Sequence, residues 1–165
     1  MRRLTSLVIA VAVILPALCG CHSVDDDRIP VAPVNVVFST VADWDVYGVA
    51  GAMQSRRFIR DTKEPSSFPW TAQTFTGYGG VLLVSDVLGE PMVFDLACPV
   101  ECKRDVRIFV NKEMLGECPQ CGSTYDVFSL RGAPVSGVAA HNHYGLRPYH
   151  VGPSRNGTAY RIISY

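Results

Sequence analysis

The stretch CPVECKRDVRIFVNKEMLGECPQCGSTYD, Cys98 to Asp126, carries four cysteines in two short loops on either side of a strand-forming run. What surrounds it decides the fold. Upstream, GGVLLVSDVLGEPMVFDLAC predicts a hairpin, with Val81 to Val84 running up, a turn at Leu88-Gly89-Glu90-Pro91, and Met92 to Leu96 running back. Within the stretch, DVRIFVNKEMLGEC predicts a second hairpin turning at Asn111-Lys112 and returning toward Cys118. Downstream, LRPYHVGPSRNGTAYRIISY predicts a third, with Asn156-Gly157 in its turn, and VNVVFSTV (34–41) predicts a first strand. Short apolar or alternating runs closed by turn residues, with no repeats and no long amphipathic helix, indicate an all-β domain. Each cysteine pair directly follows a hairpin strand, so two antiparallel sheets can bring both loops face to face as a metal-binding pair.

The half CPQCG is the more specific. Two cysteines separated by two residues point both sulfurs at one atom. Pro119 pre-sets its φ, and Gly122 permits a left-handed turn that frees backbone N–H groups to donate to thiolates. Such a knuckle, shared by zinc ribbons and rubredoxins, indicates tetrahedral sulfur ligation without naming the metal. The half CPVEC has a three-residue gap, within the range of zinc ligand pairs, but no glycine after it. Together Cys98, Cys102, Cys118 and Cys121 form a C-x3-C…C-x2-C set with 15 residues between the pairs.

From Gly80 to the C-terminus the chain resembles the Rieske iron–sulfur domain. That family carries Cys-x-His in one loop and Cys-Pro-x-His-Gly-Ser in another, followed by an aromatic residue and an aspartate. Here Cys98-Pro99-Val100, then 17 residues, then Cys118-Pro119-Gln120-Cys121-Gly122-Ser123-Thr124-Tyr125-Asp126 follow the same frame. GAPVSGVAA and LRPYHV are similar to the family's downstream loop and strand, and VFDLACP to the strand that delivers its first loop. The resemblance implies a Rieske-like fold and a role in electron transfer with a redox partner protein. In the family two cysteines hold one iron and two histidines the other, which raises the potential. The cysteine positions fall on Cys98 and Cys118, and the histidine positions on Val100 and Cys121. Valine cannot ligate, so the standard cluster is not encoded. The family's inter-loop disulfide has no counterpart, because its second position is Gln120. Ser123 and Tyr125 match positions whose hydroxyls hydrogen-bond a cluster sulfur and a ligand cysteine. Read without the family, Ser123 is a turn residue and Tyr125 a strand residue.

Three chemistries remain open for the four cysteines. A single Zn²⁺ or Fe ion satisfies every thiolate. A [2Fe–2S] cluster with four cysteines needs Cys102 to bend inward, and loses the potential-raising histidines. In an oxidising compartment, a Cys102–Cys121 or Cys98–Cys118 disulfide clamps the loops instead. The metal readings make an electron carrier or a zinc-held interaction module; the disulfides make an interaction module without metal.

The N-terminus is set apart from the domain. Arg2 and Arg3 precede LVIAVAVILPALCG, an apolar run too short to span a bilayer stably and interrupted by Pro16. Its end, Leu18-Cys19-Gly20-Cys21, resembles the lipobox of bacterial lipoproteins. That implies a signal peptide over 1–20, a lipidated Cys21, and an exported protein held to the membrane through that anchor. HSVDDDRIPVAPV reads as a flexible tether, so 21–33 is assigned to linker and 34–165 to one β domain. Asp25-Asp26-Asp27 resembles the acidic signal that sends some lipoproteins to the outer face of the outer membrane, which implies an outer-membrane protein on the periplasmic or cell-surface side; as residues alone the run reads equally as a solvated spacer. Removing residues 1–20 leaves 13 basic against 15 acidic residues, no electrostatic reason to expect nucleic acid.

Elsewhere the signals are weaker. The middle segment (43–80) reads as irregular strands and loops, with one short helical turn near Met53 to Phe58. Asp43 and Asp45 around Trp44 suit a strand edge or turn. His141 and His143 fall in the loop expected to cover the site from Pro134 to Ala139, where exposed loop tips are commoner than ligands. No Gly-x-Ser-x-Gly, phosphate loop or catalytic carboxylate pair marks an enzyme.

Overall fold

A computed structural model describes residues 23–153 and 160–164. The expected signal peptide, Cys21 and the Asn156-Gly157 turn lie outside the described residues. The chain is all-β, with eleven strands and two short helices among the described residues. The strands are β1 (Val34–Val37), β2 (Ser55–Phe58), β3 (Phe75–Thr76), β4 (Val81–Ser85), β5 (Pro91–Asp95), β6 (Phe109–Val110), β7 (Gly116–Glu117), β8 (Thr124–Asp126), β9 (Ala133–Ser136), β10 (Pro148–Pro153) and β11 (Tyr160–Ile163). The helices are α1 (Val41–Tyr47) and α2 (Gly137–Asn142). A seven-stranded antiparallel sheet runs β2-β4-β5-β10-β11-β1-β3, and a four-stranded one runs β6-β7-β8-β9.

The β4–β5 hairpin is the spine. Val81 pairs with Asp95 and Ser85 with Pro91, the expected register around the Leu88-Gly89 turn. Side chains alternate across a strand, so Leu82 and Val84 enter one apolar cluster while Val81 and Leu83 enter another. Both faces are covered, which is why this strand reads as a continuous apolar run rather than an alternation. The first cluster lies toward the four-stranded sheet and includes Phe94, Leu96, Ile108, Tyr125, Phe128 and the thiols of Cys98 and Cys118. The second gathers Phe38, Phe58, Phe68 and Trp44, with Phe38 edge-on to the other three rings at 5.0 to 5.9 Å. The two sheets are joined where β5 continues past its end: Ala97 bridges Arg107, Ile108 N–H donates to Leu96 O, and Cys98 N–H donates to Val106 O.

Three sequence expectations change. The first strand stops at Val37, and Val41 to Tyr47 is helical, because Thr40 and Asp43 form a reciprocal capping box (Thr40 Oγ1 from Asp43 N, 3.1 Å; Asp43 Oδ2 from Thr40 N, 3.0 Å). The aspartates around Trp44 therefore belong to a helix that buries Trp44. The helical turn expected near Met53 to Phe58 is instead β2, paired along its length with β4. The segment read as a flexible tether is docked from Asp25 onward. Asp25 N–H donates to His143 O and Gly145 N–H donates back to Asp25 O, both at 2.8 Å, and Ile29 is wholly buried. Arg147 donates to Ile29 O and Asp27 O and pairs with the Asp27 carboxylate at 2.9 Å. The proline-rich composition hid this, since its partners lie over a hundred residues away.

Thr40→Ala removes the exposed capping oxygen and should lower stability by about 1 kcal/mol, read as a lower urea midpoint with an unchanged denaturant slope.

Candidate metal centre

The site begins with a carboxylate that sequence reasoning missed. Asp95, the last residue of β5, has no solvent exposure. It accepts hydrogen bonds from the backbone N–H groups of Tyr78 (2.8 Å), Gly79 (2.9 Å) and Ala97 (2.7 Å) and from the Tyr149 hydroxyl (2.5 Å). Burial pushes its pKa up, against the pull of Tyr149 and the three N–H donors. The Tyr149 hydroxyl is pushed up too, first by burial and then by the neighbouring carboxylate. The network binds the Tyr78-Gly79 turn to the end of β5, three residues before Cys98. Gly79 is required there: a Cβ would stand 2.6 Å from Ala97 N. The one sequence signal was a charge inside the otherwise apolar run VFDLA.

Past Asp95 the first loop turns, with Cys102 N–H donating to Cys98 O at 2.9 Å. The second loop joins β7 to β8. Gly122 N–H donates to Cys118 O and Cys118 N–H to Ser123 O, both at 3.0 Å, and Gly122 has the left-handed φ of 67° expected after the knuckle. The sulfurs of Cys98, Cys118 and Cys121 all lie within 4.8 Å of one another, Cys98 and Cys121 at 3.7 Å. Cys98 and Cys118 are fully buried and Cys121 half-buried. All four cysteines are free thiols.

Cys102 is the predicted ligand that is not gathered in. It adopts a left-handed φ of 52°, in the place where a knuckle uses glycine. Its sulfur lies 3.2 Å from Pro99 O and 3.7 Å from Arg28 O, with the Arg28 guanidinium at 3.8 Å. Arg28 also donates to Pro99 O at 2.8 Å and stacks on the Tyr144 ring. Val100, at a family histidine position, packs against the core cluster. Exposed His141 and His143 stand outside the sulfur group. The expected covering loop is partly ordered as β9 and α2.

The Tyr125 and Ser123 hydroxyls both lie beside cysteine sulfurs. Tyr125 is fully buried with its hydroxyl 3.6 Å from the Cys98 sulfur; burial and then Cys98 push its pKa up, so it stays a proton donor. The buried Ser123 hydroxyl accepts Ala139 N–H at 3.2 Å and lies 3.3 Å from the Cys121 sulfur. The Cys121 thiol donates to that same oxygen, and when Cys121 ionises the Ser123 proton can turn to the sulfur. Gly137 makes room for this approach, as a Cβ there would stand 2.9 Å from Ser123 Oγ. The two thiols diverge in consequence. Burial raises Cys98 to about 12, only partly countered by Tyr125 and the N–H groups of Glu101 and Val100. Burial also opposes ionisation of Cys121, but the Ser123 hydroxyl and N–H, then Cys118 and Cys98, outweigh it and lower its pKa. Cys121 is therefore the more easily ionised of the two, and Cys98 the one that holds its proton more firmly.

Comparison with protein-family models, curated proteins and solved structures finds no match to this chain. Three thiols converging on one point can bind a metal ion, and that conclusion rests on the geometry alone.

Asp95→Ala leaves four donors facing a void and should cost about 3–5 kcal/mol, measured by chemical denaturation, with Asp95→Asn costing less. In the metal-free protein, Cys98 stays protonated in the fold at pH values where the unfolded chain has lost that proton, from the ordinary 9.0 to about 12. Fewer protons on the unfolded chain means stability falls as pH rises through that window, by about 1.4 kcal/mol per pH unit for one proton. Denaturation from pH 8 upward checks this, and Cys98→Ser should flatten the slope.

Proposed function

We propose that this chain is an exported, lipid-anchored protein whose Rieske-like domain holds one metal ion on cysteine thiolates and passes single electrons through it when the ion is iron. The observation that carries the reading is the convergence of the Cys98, Cys118 and Cys121 sulfurs within 4.8 Å. Around a tetrahedral ion with metal–sulfur bonds near 2.3 Å, ligand sulfurs stand about 3.8 Å apart. The Cys98–Cys121 separation of 3.7 Å is of that size. A binuclear cluster divides its ligands between two irons, so sulfurs on different irons stand further apart than those on one. Three mutually close sulfurs favour a single ion. Cys102, in the same loop as Cys98, is the candidate for the fourth position on rotation of its side chain away from Pro99 O.

The residues present fit this task. Tyr125 and Ser123 direct hydroxyl protons at the sulfurs, spreading the negative charge that thiolates bring to a divalent or trivalent ion. Half-buried Cys121 gives the centre a ligand at the surface, a short exit for an electron. The order and spacing of the loops, the strand delivering Cys98 and the four-stranded sheet carrying the second loop support the Rieske-like frame. A second reading, a zinc-held interaction module, is favoured by the full burial of Cys98 and Cys118 in the core, where a redox-inert ion would clamp two sheets.

Protein purified anaerobically from its native membrane should contain one iron per chain, no acid-labile sulfide, and visible charge-transfer bands that bleach on reduction. Colourless protein with one zinc establishes the module instead, and two irons with two sulfides the cluster. Cys118→Ser should abolish stoichiometric metal; a chain that binds no metal in its native state overturns the proposal.

A further inference from the structure

The docked N-terminal segment has a geometric consequence for the anchor. The chain is fixed to the domain at Asp25, whose backbone pairs with His143 and Gly145 just past α2. Arg28 then crosses the first cysteine loop at Pro99. Three residues lie between Cys21 and Asp25, and the four chain steps from one to the other reach at most about 14 Å. We infer that the metal-bearing end of the domain lies against the phospholipid bilayer, with α2 and the end of β9 at the headgroup boundary. This rests on the reading of Cys21 as the acylated residue.

The surface at that end suits such a position. Val24 (43% exposed), Val135 (47%) and Val138 (47%) present apolar side chains, and Val138 belongs to the helix whose Ala139 N–H holds Ser123 beside Cys121. Among the described residues no helix is long and apolar enough to cross a membrane. The opposite end provides an internal comparison. Leu88, 83% exposed at the tip of the β4–β5 hairpin, is separated from the cysteine loops by the length of β5. From Glu90 to Cys98 the extended chain covers about 26 Å. Val138 lies five residues before His143, about 8 Å along α2, so a bilayer at the anchor meets the valines first.

The test uses the full chain, purified with its native acyl groups and reconstituted into vesicles of brominated phosphatidylcholine. Val138→Trp, Val135→Trp and Leu88→Trp are compared, each after subtraction of the parent emission. The expected result is quenching of the added tryptophan at 138 and 135 about twofold or more greater than at 88. The two β9–α2 positions guard against one substitution disturbing the fold. Mass spectrometry of the N-terminal peptide separates the two ways of failing. An acylated chain with equal quenching at all three positions, or more at 88, overturns the orientation alone. A chain without acyl groups on Cys21 overturns the orientation together with the anchor on which it rests.

Discussion

Everything at the cysteine-bearing end depends on a buried carboxylate that has no ion-pair partner among the described residues. Asp95 is held by four hydrogen-bond donors, three of them backbone N–H groups that only this fold brings together. Removing such a charge from water is costly, and unpaired donors would be costly as well, so the carboxylate and its donors fix one another. The result is a rigid junction among the Tyr78-Gly79 turn, β5 and β10. Cys98 emerges from that junction within three residues, before the chain has freedom to wander. A ligand carried by a flexible loop would have to be ordered at the moment of binding; here the ordering is part of folding.

The sulfur site shows the same economy of means with opposite electrostatic outcomes for adjacent groups. Cys98 is enclosed by apolar side chains and keeps its proton, while Cys121, near the surface and facing Ser123, is eased toward the thiolate. The difference lies in what each sulfur meets, since both are cysteines in proline-containing loops. Ser123 is the connecting element: one hydroxyl takes an N–H from α2 and faces a sulfur from the knuckle. The helix over the site is thereby coupled to the charge on the Cys121 sulfur. The first loop departs from this order. Without a glycine after it, Cys102 itself takes the left-handed turn, and Arg28 and Pro99 occupy its sulfur.

The legibility of the fold followed the distance over which each interaction acts. The β4–β5 and β6–β7 hairpins were readable because turn chemistry and apolar pattern act within about ten residues. The α1 helix was also local, written in Thr40-x-x-Asp43, but an adjoining β-branched run masked the signal. β2 was misread because its strand identity comes from pairing with Leu82 and Leu83, not from its own residues, Ser-Arg-Arg-Phe. The N-terminal strap was misread for a similar reason: its composition is that of a linker, and its order comes from Arg147, His143 and Gly145.

By itself the sequence determined the residue types at the site and their order: two cysteine loops after strands, a serine and a tyrosine behind the second, a glycine where the turn needs one. These depend on local chain geometry, which neighbouring residues dictate. Only the tertiary structure decided which sulfurs meet, that Cys102 turns away, that Asp95 anchors the first loop, and that residues 25–29 belong to the domain. Those outcomes depend on burial and on donors from distant strands, and desolvation is a property of the enclosing fold that no short stretch of chain carries.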